Sequence, residues 1–383
     1  MTEGVSRDAM PLIDMPEFSG ELLEEFAARR TSRVNTPVIQ PAEPFLDMAG
    51  EDLRRRIFMT ESETGESLCL RPEFTIPVCL RHIETATGTP KRYSYLGEVF
   101  RQRREGANEF YQAGIEDLGD TDIAAADARA VIDATGILQR LLPGRALAVT
   151  LGDQQVFEAV VAALGLPLGW QKRLVQAFGD MAQLDALLES LMHPKPMTGL
   201  DARVAGLLAT GDEAVLVDYL DTVMQETGYS TNASRSPQEI ARRLREKLAL
   251  AATRLPDDSF ALLKQFLALK APLPQASQVL ADFAAKAKLK LDGALSAFDK
   301  RVAALSNAGV DLETVTYGAA FGRPLDYYTG LVFEVVEAGG DSVLAGGGRF
   351  DRLLTLLGAQ EKIPAVGFSL WLDRIETVRG SKP

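Results

Sequence analysis

The signals for β-strands stop near residue 150 and return near residue 310, and the stretch between them is almost all helical in pattern. Few arrangements accommodate that order. Either three domains follow one another, or one sheet is assembled from two distant pieces of chain around a helical insertion. The second is the more economical. We therefore expect an α+β fold: an antiparallel sheet flanked by helices, formed by residues 1–150 and 310–383, with a helical insertion domain over 151–309. The length of 383 residues suits this, since a domain takes ~150 residues as a prior.

The local patterns give this outline its elements. Leu22, Leu23 and Phe26 lie on one stripe, which predicts a helix over Glu21–Arg30. Arg92–Phe100 and Glu109–Leu118 read as two strands joined by the polar turn Arg103–Asn108. Thr121–Leu142 is alanine-rich with helical spacing, closed by Pro143 and Gly144. Within the helical stretch, Ser236, Pro237 and Glu239 fit an N-cap, N1 and capping-box glutamate. Asp257 and Asp258 put favourable charge in the first turn of another helix, and Pro272 and Pro274 mark the next junction. Leu331–Val336 is strand-like. Gly346–Gly348 reads as a tight turn before a helix over Arg349–Leu357. Pro364–Leu370 reads as a strand and Trp371–Val378 as a last helix.

Composition excludes several classes of function. No apolar run approaches the ~18 residues of a spanning helix, and the first nineteen residues lack the pattern of a signal peptide. Two cysteines, Cys69 and Cys79, exclude a disulfide scaffold and a multi-cysteine zinc site. Two histidines, His82 and His193, leave little for metal chemistry. The net charge of −12, with no region basic as a whole, argues against non-specific nucleic-acid binding, which depends on neutralising phosphates. A cytoplasmic protein without metal or cofactor is expected.

The hairpin is the most chemical part of the chain. Alternation puts Phe110, Gln112, Gly114 and Glu116 on one face of the second strand, with Arg101, Arg103 and Arg104 near the turn. Glutamine and glutamate beside Arg101 suit a zwitterionic or phosphorylated ligand. A solvated face with cross-strand charge pairs explains the same residues, and spacing alone favours it.

The stretch Tyr95–Glu116 resembles motif 2 of class II aminoacyl-tRNA synthetases in its histidyl form. Leu70, Arg71, Pro72, Glu73 and Thr75 resemble a segment that holds the substrate α-amino group in that family. Arg323–Gly330 resembles an element peculiar to histidyl-tRNA synthetases, and Gly347–Asp351 resembles the one that follows it. These segments stand in the family's order across residues 35–375. The resemblance implies a class II synthetase-like sheet, with the helical block at the place of that family's insertion domain.

The departures are equally informative. The motif 2 glutamate is replaced by Arg103, which rebuilds the nucleotide side of the site electrostatically. In the motif 3 segment Arg374 is kept, but Trp371 is bulky where a small residue would admit ATP. Pro324 stands for a glycine and stiffens its loop. Only eight residues follow Ile375, where the synthetases continue for roughly a hundred more, a small domain that reads the anticodon. This combination resembles the regulatory subunits of ATP phosphoribosyltransferase, which are synthetase paralogues without that domain.

That resemblance implies a non-catalytic chain. It would activate a short catalytic subunit in a hetero-octamer, pair with itself through the synthetase-like core, and carry histidine feedback in the first step of histidine biosynthesis. Neither membrane nor tRNA binding is implied. Carried over by position, Glu73 and Thr75 would take the histidine ammonium, with Gln112 and Tyr328 nearby, and Glu116 and Tyr327 would approach its imidazole. Arg323 and Arg101 would take its carboxylate. The alternative is a truncated enzyme that activates histidine with ATP.

The remaining conspicuous residues have plainer readings. Val131–Gly136 superficially resembles a phosphoribosyl-binding loop but sits in a helical pattern. His82 caps or pairs locally, His193 is exposed, the cysteines are reduced core residues, and Arg54–Arg56 is a solvated helix face.

Overall fold

A computed structural model describes residues 15–48, 50–104, 106–194, 199, 201–227, 236–323 and 325–380, with Glu51 and Asp52 as backbone only. The expectations for residues 1–14 and Pro324 lie outside the described residues. The chain divides into two compact units, Met1–Ala159 with Phe178–Asp180 and Phe266–Pro383, and Val160–Ala177 with Met181–Gln265.

In chain order the strands are β1 (Ser32–Arg33), β2 (Ile39–Pro41), β3 (Met59–Glu61), β4 (Ser67–Leu70), β5 (Lys91–Phe100), β6 (Glu109–Leu118), β7 (Leu147–Asp153), β8 (Lys270–Pro272), β9 (Val315–Gly318), β10 (Leu331–Glu337), β11 (Val343–Arg349) and β12 (Ala365–Trp371). Nine of them form one sheet in the order β1-β5-β6-β12-β11-β10-β7-β9-β8, while β2, β4 and β3 form a small separate sheet. The large sheet is antiparallel except for the β1/β5 and β7/β9 pairs. Strands from before residue 154 and after residue 269 thus alternate within it.

The β5/β6 hairpin has the expected bounds to within a residue, in register from Lys91↔Leu118 to Phe100↔Glu109. Its Gln112/Glu116 face is not solvated: both side chains are 1 % exposed. Helix α1 (Ser19–Ala28) precedes the sheet, followed by α2 (Glu43–Met48), α3 (Glu51–Arg54) and α4 (Thr75–Glu84). Helix α5 (Ile123–Leu141) packs against β6, β10, β11 and β12 through Val131, Ala134 and Leu138. Asp122 caps α5 by accepting the Ala125 N–H at 3.2 Å. Val131–Gly136 lies inside this helix.

Two expectations are corrected. Gly346–Gly348 is not a turn; it lies within β11, and the helix that follows is only Leu353–Leu356. The glycines are there for close approach. A Cβ on Gly347 would fall 2.1 Å from the Gly367 carbonyl oxygen, and one on Gly348 would fall 2.5 Å from that of Leu331. The second correction is β8, an edge strand where the sequence shows only a junction between helices.

Helices α6 (Gln154–Ala163), α7 (Leu168–Gln176), α8 (Met181–Met192), α9 (Ala202–Thr210), α10 (Glu213–Glu226), α11 (Pro237–Ala252) and α12 (Asp257–Leu267) fill the helical stretch. In the second unit Leu208, Leu216 and Ala241 form a small core, and Trp170 Nε1–H donates to the Leu250 carbonyl at 2.9 Å. Ser236 accepts the Glu239 N–H at 3.2 Å, as its pattern predicts. Helices α13 (Leu273–Ala287) and α14 (Asp292–Asn307) belong to the first unit, and α15 (Leu353–Leu356) and α16 (Leu372–Gly380) complete the chain order.

A buried ion cluster ties α14 to α5 and the sheet. Asp127 accepts from Arg301 and Arg349, each at 2.7 Å, while Arg301 also donates to Asp153 at 2.6 Å. Arg349 reaches Asp351 at 2.7 Å as well. Charges this deep persist only when paired, and each guanidinium here has at least two acceptors.

Candidate functional site

The site begins where β4 hands over to α4. Glu73 sits between them, and its carboxylate accepts the N–H groups of Thr75 at 2.6 Å and Ile76 at 2.9 Å, as a helix N-terminus favours. Arg71 fixes this turn. It donates to the Thr36 carbonyl at 2.6 Å and the Glu98 carbonyl at 2.7 Å, and its guanidinium lies 4.0 Å over the Phe74 ring. Phe74 in turn stacks on Tyr95 at 4.4 Å.

From the hairpin, Thr75 Oγ1–H donates to Glu116 Oε1 at 2.7 Å. Glu116 Oε2 is buried with no hydrogen-bond partner. Burial pushes the Glu116 carboxyl well above its usual range, and the charge of Glu73 adds to this while the Thr75 hydroxyl opposes it. Burial raises Glu73 too, against the backbone N–H bonds and the pull of Arg101. Two carboxylates therefore share one dry corner without a cation of the chain bonded to either.

The opposite end is cationic. Arg101 donates to the Pro72 carbonyl at 2.7 Å and, with Trp371, to the amide oxygen of Gln112 when that amide is oriented toward them. Burial lowers the Arg101 pKa to about 10 although Glu73 raises it, and the neighbouring Arg103 and Arg323 add to the lowering. Arg323 donates to Glu334 at 2.7 Å, but its Nε is buried without a partner. Tyr327 and Tyr328 stand beside one another with ring centroids 5.0 Å apart. Burial raises both phenols, that of Tyr328 to about 12.

Glu73, Thr75, Arg101, Gln112, Arg323, Tyr327 and Tyr328 line a single cavity of about 110 Å³, closed further by Gly367, Ser369 and Trp371. Glu116 stands against this wall, bonded to Thr75. Seven of the eight residues expected from the sequence thus line one cavity, and the eighth, Glu116, stands behind its wall. Arg56, Phe350 and Ser369 also line it and were not anticipated; Gly346 and Gly367 could have been, because glycine inside a strand marks close approach.

The neighbouring ground is occupied by the chain's own side chains. Arg103 pairs with Asp373 at 3.2 Å and lies 3.5 Å over the Phe110 ring, and Arg374 donates to the Val343 carbonyl at 2.8 Å. Among the other conspicuous residues, His82 is buried and meets the Tyr93 hydroxyl at 3.1 Å, His193 is exposed, and Cys69 and Cys79 are buried and free. Arg54 is half-buried at the end of α3, whereas Arg55 and Arg56 are exposed. Among the described residues no group of three or more His, Cys, Asp or Glu could hold a metal ion, and no helix is long and apolar enough to cross a membrane.

A family model described as histidyl-tRNA synthetase matches residues 15–246 and 215–375. A protein of Agrobacterium fabrum named ATP phosphoribosyltransferase regulatory subunit is 95 % identical over 372 residues, covering 97 % of this chain and 99 % of that protein. A protein of the same name from Rhizobium rhizogenes is 72 % identical, covering 97 % of this chain and all of its own. Among solved structures, an ATP phosphoribosyltransferase regulatory subunit/histidyl-tRNA synthetase from Bacillus halodurans superposes with a TM-score of 0.66 at 18 % identity, over 99 % of this chain and 85 % of that one. A histidyl-tRNA synthetase from Nostoc gives 0.62 at 15 % identity, over 94 % and 70 %. These two likenesses establish the class II histidyl-tRNA synthetase-like fold.

Proposed function

Because the chain belongs to the family of ATP phosphoribosyltransferase regulatory subunits, we propose that its buried cavity is the histidine site through which the subunit carries feedback. The chain is the non-catalytic member of that enzyme, which serves histidine biosynthesis, and its partner is a catalytic subunit. The observation that carries the histidine reading is a pair of orphaned buried atoms, the acceptor Glu116 Oε2 behind the cavity wall and the donor Nε of the lining residue Arg323. A buried polar atom without a partner is costly. An amino acid with a cationic or N–H-bearing side chain supplies both at once: a donor to the carboxylates Glu73 and Glu116, and a carboxylate to Arg101 and Arg323.

On this reading Glu73 and Thr75 hold the ammonium with Gln112 and Tyr328 nearby, Glu116 and Tyr327 meet the imidazole, and the two arginines hold the carboxylate. Histidine acts as an effector because it binds one quaternary arrangement better than another. The catalytic partner is the short form, the assembly a hetero-octamer in the cytoplasm, and its core a homodimer of this chain. Exposed Ile39 and Met59 on the two edge strands of the small sheet support self-association. The insertion expected over 151–309 is narrower on this reading: the unit of Val160–Ala177 and Met181–Gln265. Activation of histidine with ATP is disfavoured by Arg103 and Trp371, which hold the adjoining ground. No tRNA binding belongs to this role.

Calorimetry with histidine on the chain and on its complex tests the proposal, alongside histidine inhibition of the complex. Binding and inhibition are expected in the native protein and lost in Glu116→Gln. Undiminished inhibition of the Glu116→Gln complex rejects this site.

A further inference from the structure

Trp371 ends β12 directly opposite Gln112 on β6, and its indole forms part of the cavity wall. It is held firmly. With the Gln112 amide oxygen turned toward it, its Nε1–H donates to that oxygen at 3.1 Å, and the guanidinium carbons of Arg323 and Arg374 lie 5.3 and 5.1 Å from its ring centroid. Swinging the ring aside breaks that hydrogen bond and both cation–π contacts. Arg101 shares the same Gln112 oxygen at 3.2 Å, so three arginines surround the indole.

The size of the cavity gives this arrangement a consequence. About 110 Å³ accommodates a small amino acid and falls short of the ~300–1,000 Å³ of pockets for larger ligands. Glu73, Thr75 and the strand glycines Gly346 and Gly367 belong to the rest of its lining. At the cationic end, the large apolar group between ligand space and further arginines is the indole. Taking it away would add room bordered by Arg101, Arg323 and Arg374, ground that attracts an anion. The electrostatics therefore favour a longer, anionic ligand, and the ring opposes one sterically.

We infer that Trp371 is the specificity-determining residue of this pocket: its indole fixes ligand length at the carboxylate end, admitting a free amino acid and excluding the same amino acid extended through its carboxyl group. This rests on the reading of the cavity as an amino-acid site. A free carboxylate ends at Arg101 and Arg323. A carboxyl-linked extension has to place its added atoms where the ring stands, and the Gln112 hydrogen bond keeps the ring there.

The test is titration calorimetry on the full chain and on its complex with the catalytic subunit, using histidine and the dipeptide histidyl-glycine, which keeps a terminal carboxylate. The native protein binds histidine and rejects the dipeptide by tenfold or more, the scale on which a pocket wall discriminates, roughly 10–200-fold per group. Trp371→Ala shifts the ratio of dipeptide to histidine affinity about tenfold or more toward the dipeptide, and Trp371→Phe, which keeps a ring, still excludes the dipeptide. Trp371→Leu serves as the milder truncation if circular dichroism shows the alanine variant misfolded. If histidine still binds and neither truncation gains the dipeptide, the role of Trp371 is refuted while the amino-acid site stands. If the native protein binds no histidine alone or in complex, the amino-acid reading fails and this inference with it.

Discussion

Glu116 on β6 and Gly367 on β12 are register partners so close that a Cβ on Gly367 would fall 1.7 Å from Glu116 Oε2. The unpaired carboxylate oxygen therefore rests on bare backbone in the cavity wall. Gly367→Ala is expected to push the carboxylate away and to weaken histidine binding about as much as Glu116→Gln, by ~1.5–3 kcal/mol, the worth of a hydrogen bond to a charged group. Calorimetry on both variants checks the equivalence; a Gly367→Ala protein with native affinity contradicts it.

Ligand-free stability should move the other way. The folded state holds a proton on Glu116 at a pH where the unfolded chain, near the ordinary value of ~4.3, has released it. Folded protein then binds more protons than unfolded, so stability falls as pH rises from there toward the raised folded value. Glu116→Gln removes that loss. Its melting temperature at pH 8 should exceed the native one, by about 1–2 kcal/mol in stability, with the gap closing below pH 4.

Binding should also release protons. A cationic ligand favours ionised Glu73 and Glu116 and lowers values that burial has raised. Histidine affinity is accordingly expected to fall as pH drops from 8 toward 5, more steeply than histidine's own titration requires. Calorimetry in buffers of different ionisation enthalpy reads the protons directly, and net uptake would contradict the assignment.

Adjacent glycines of β11 should respond differently to alanine. At Gly346 the new Cβ meets Arg323 Nη1 at 1.8 Å, the far end of a flexible side chain. At Gly347 it meets the Gly367 carbonyl oxygen at 2.1 Å, which is backbone. Gly346→Ala is expected to keep the fold and lose histidine affinity, whereas Gly347→Ala loses ~2 kcal/mol or more of stability from overpacking. Denaturant midpoints beside binding curves separate the two.

The buried ion cluster makes a stability prediction apart from any ligand. Asp127 serves both Arg301 and Arg349 with no exposure of its own. Asp127→Ala takes one charged partner from each of two buried arginines, leaving Asp153 to Arg301 and Asp351 to Arg349, and should cost about 1.5–3 kcal/mol per lost hydrogen bond, read as a shift in urea midpoint at unchanged slope.

Which of these features could be read from the chain depended on how local they are. The β5/β6 hairpin was legible because strand alternation and a polar turn are encoded within thirty residues or so. The grouping of the eight candidate residues came only through resemblance, since spacing alone favoured a solvated face for Gln112 and Glu116. The triple glycine of β11 misled because glycine signals both turns and close approach, and only β10 and β12 on either side decide between them. Strand β8 is three residues, Lys270–Pro272, with no period to detect. Ser369 and Phe350 enter the cavity through tertiary pairing, which leaves no mark in their own neighbourhoods.

The order of strands also bears on how the protein is made. Strand β12 lies between β6 and β11, in the middle of the sheet, yet it comes from residues 365–371. A chain still emerging from the ribosome has β6 with one edge open, no Trp371 beside Gln112 and no Gly367 beneath Glu116. The pocket therefore cannot exist until synthesis has passed residue 371, and its closure depends on contacts of long sequence separation, the slowest kind to form. A formed pocket thus certifies a chain translated through its last sheet strand.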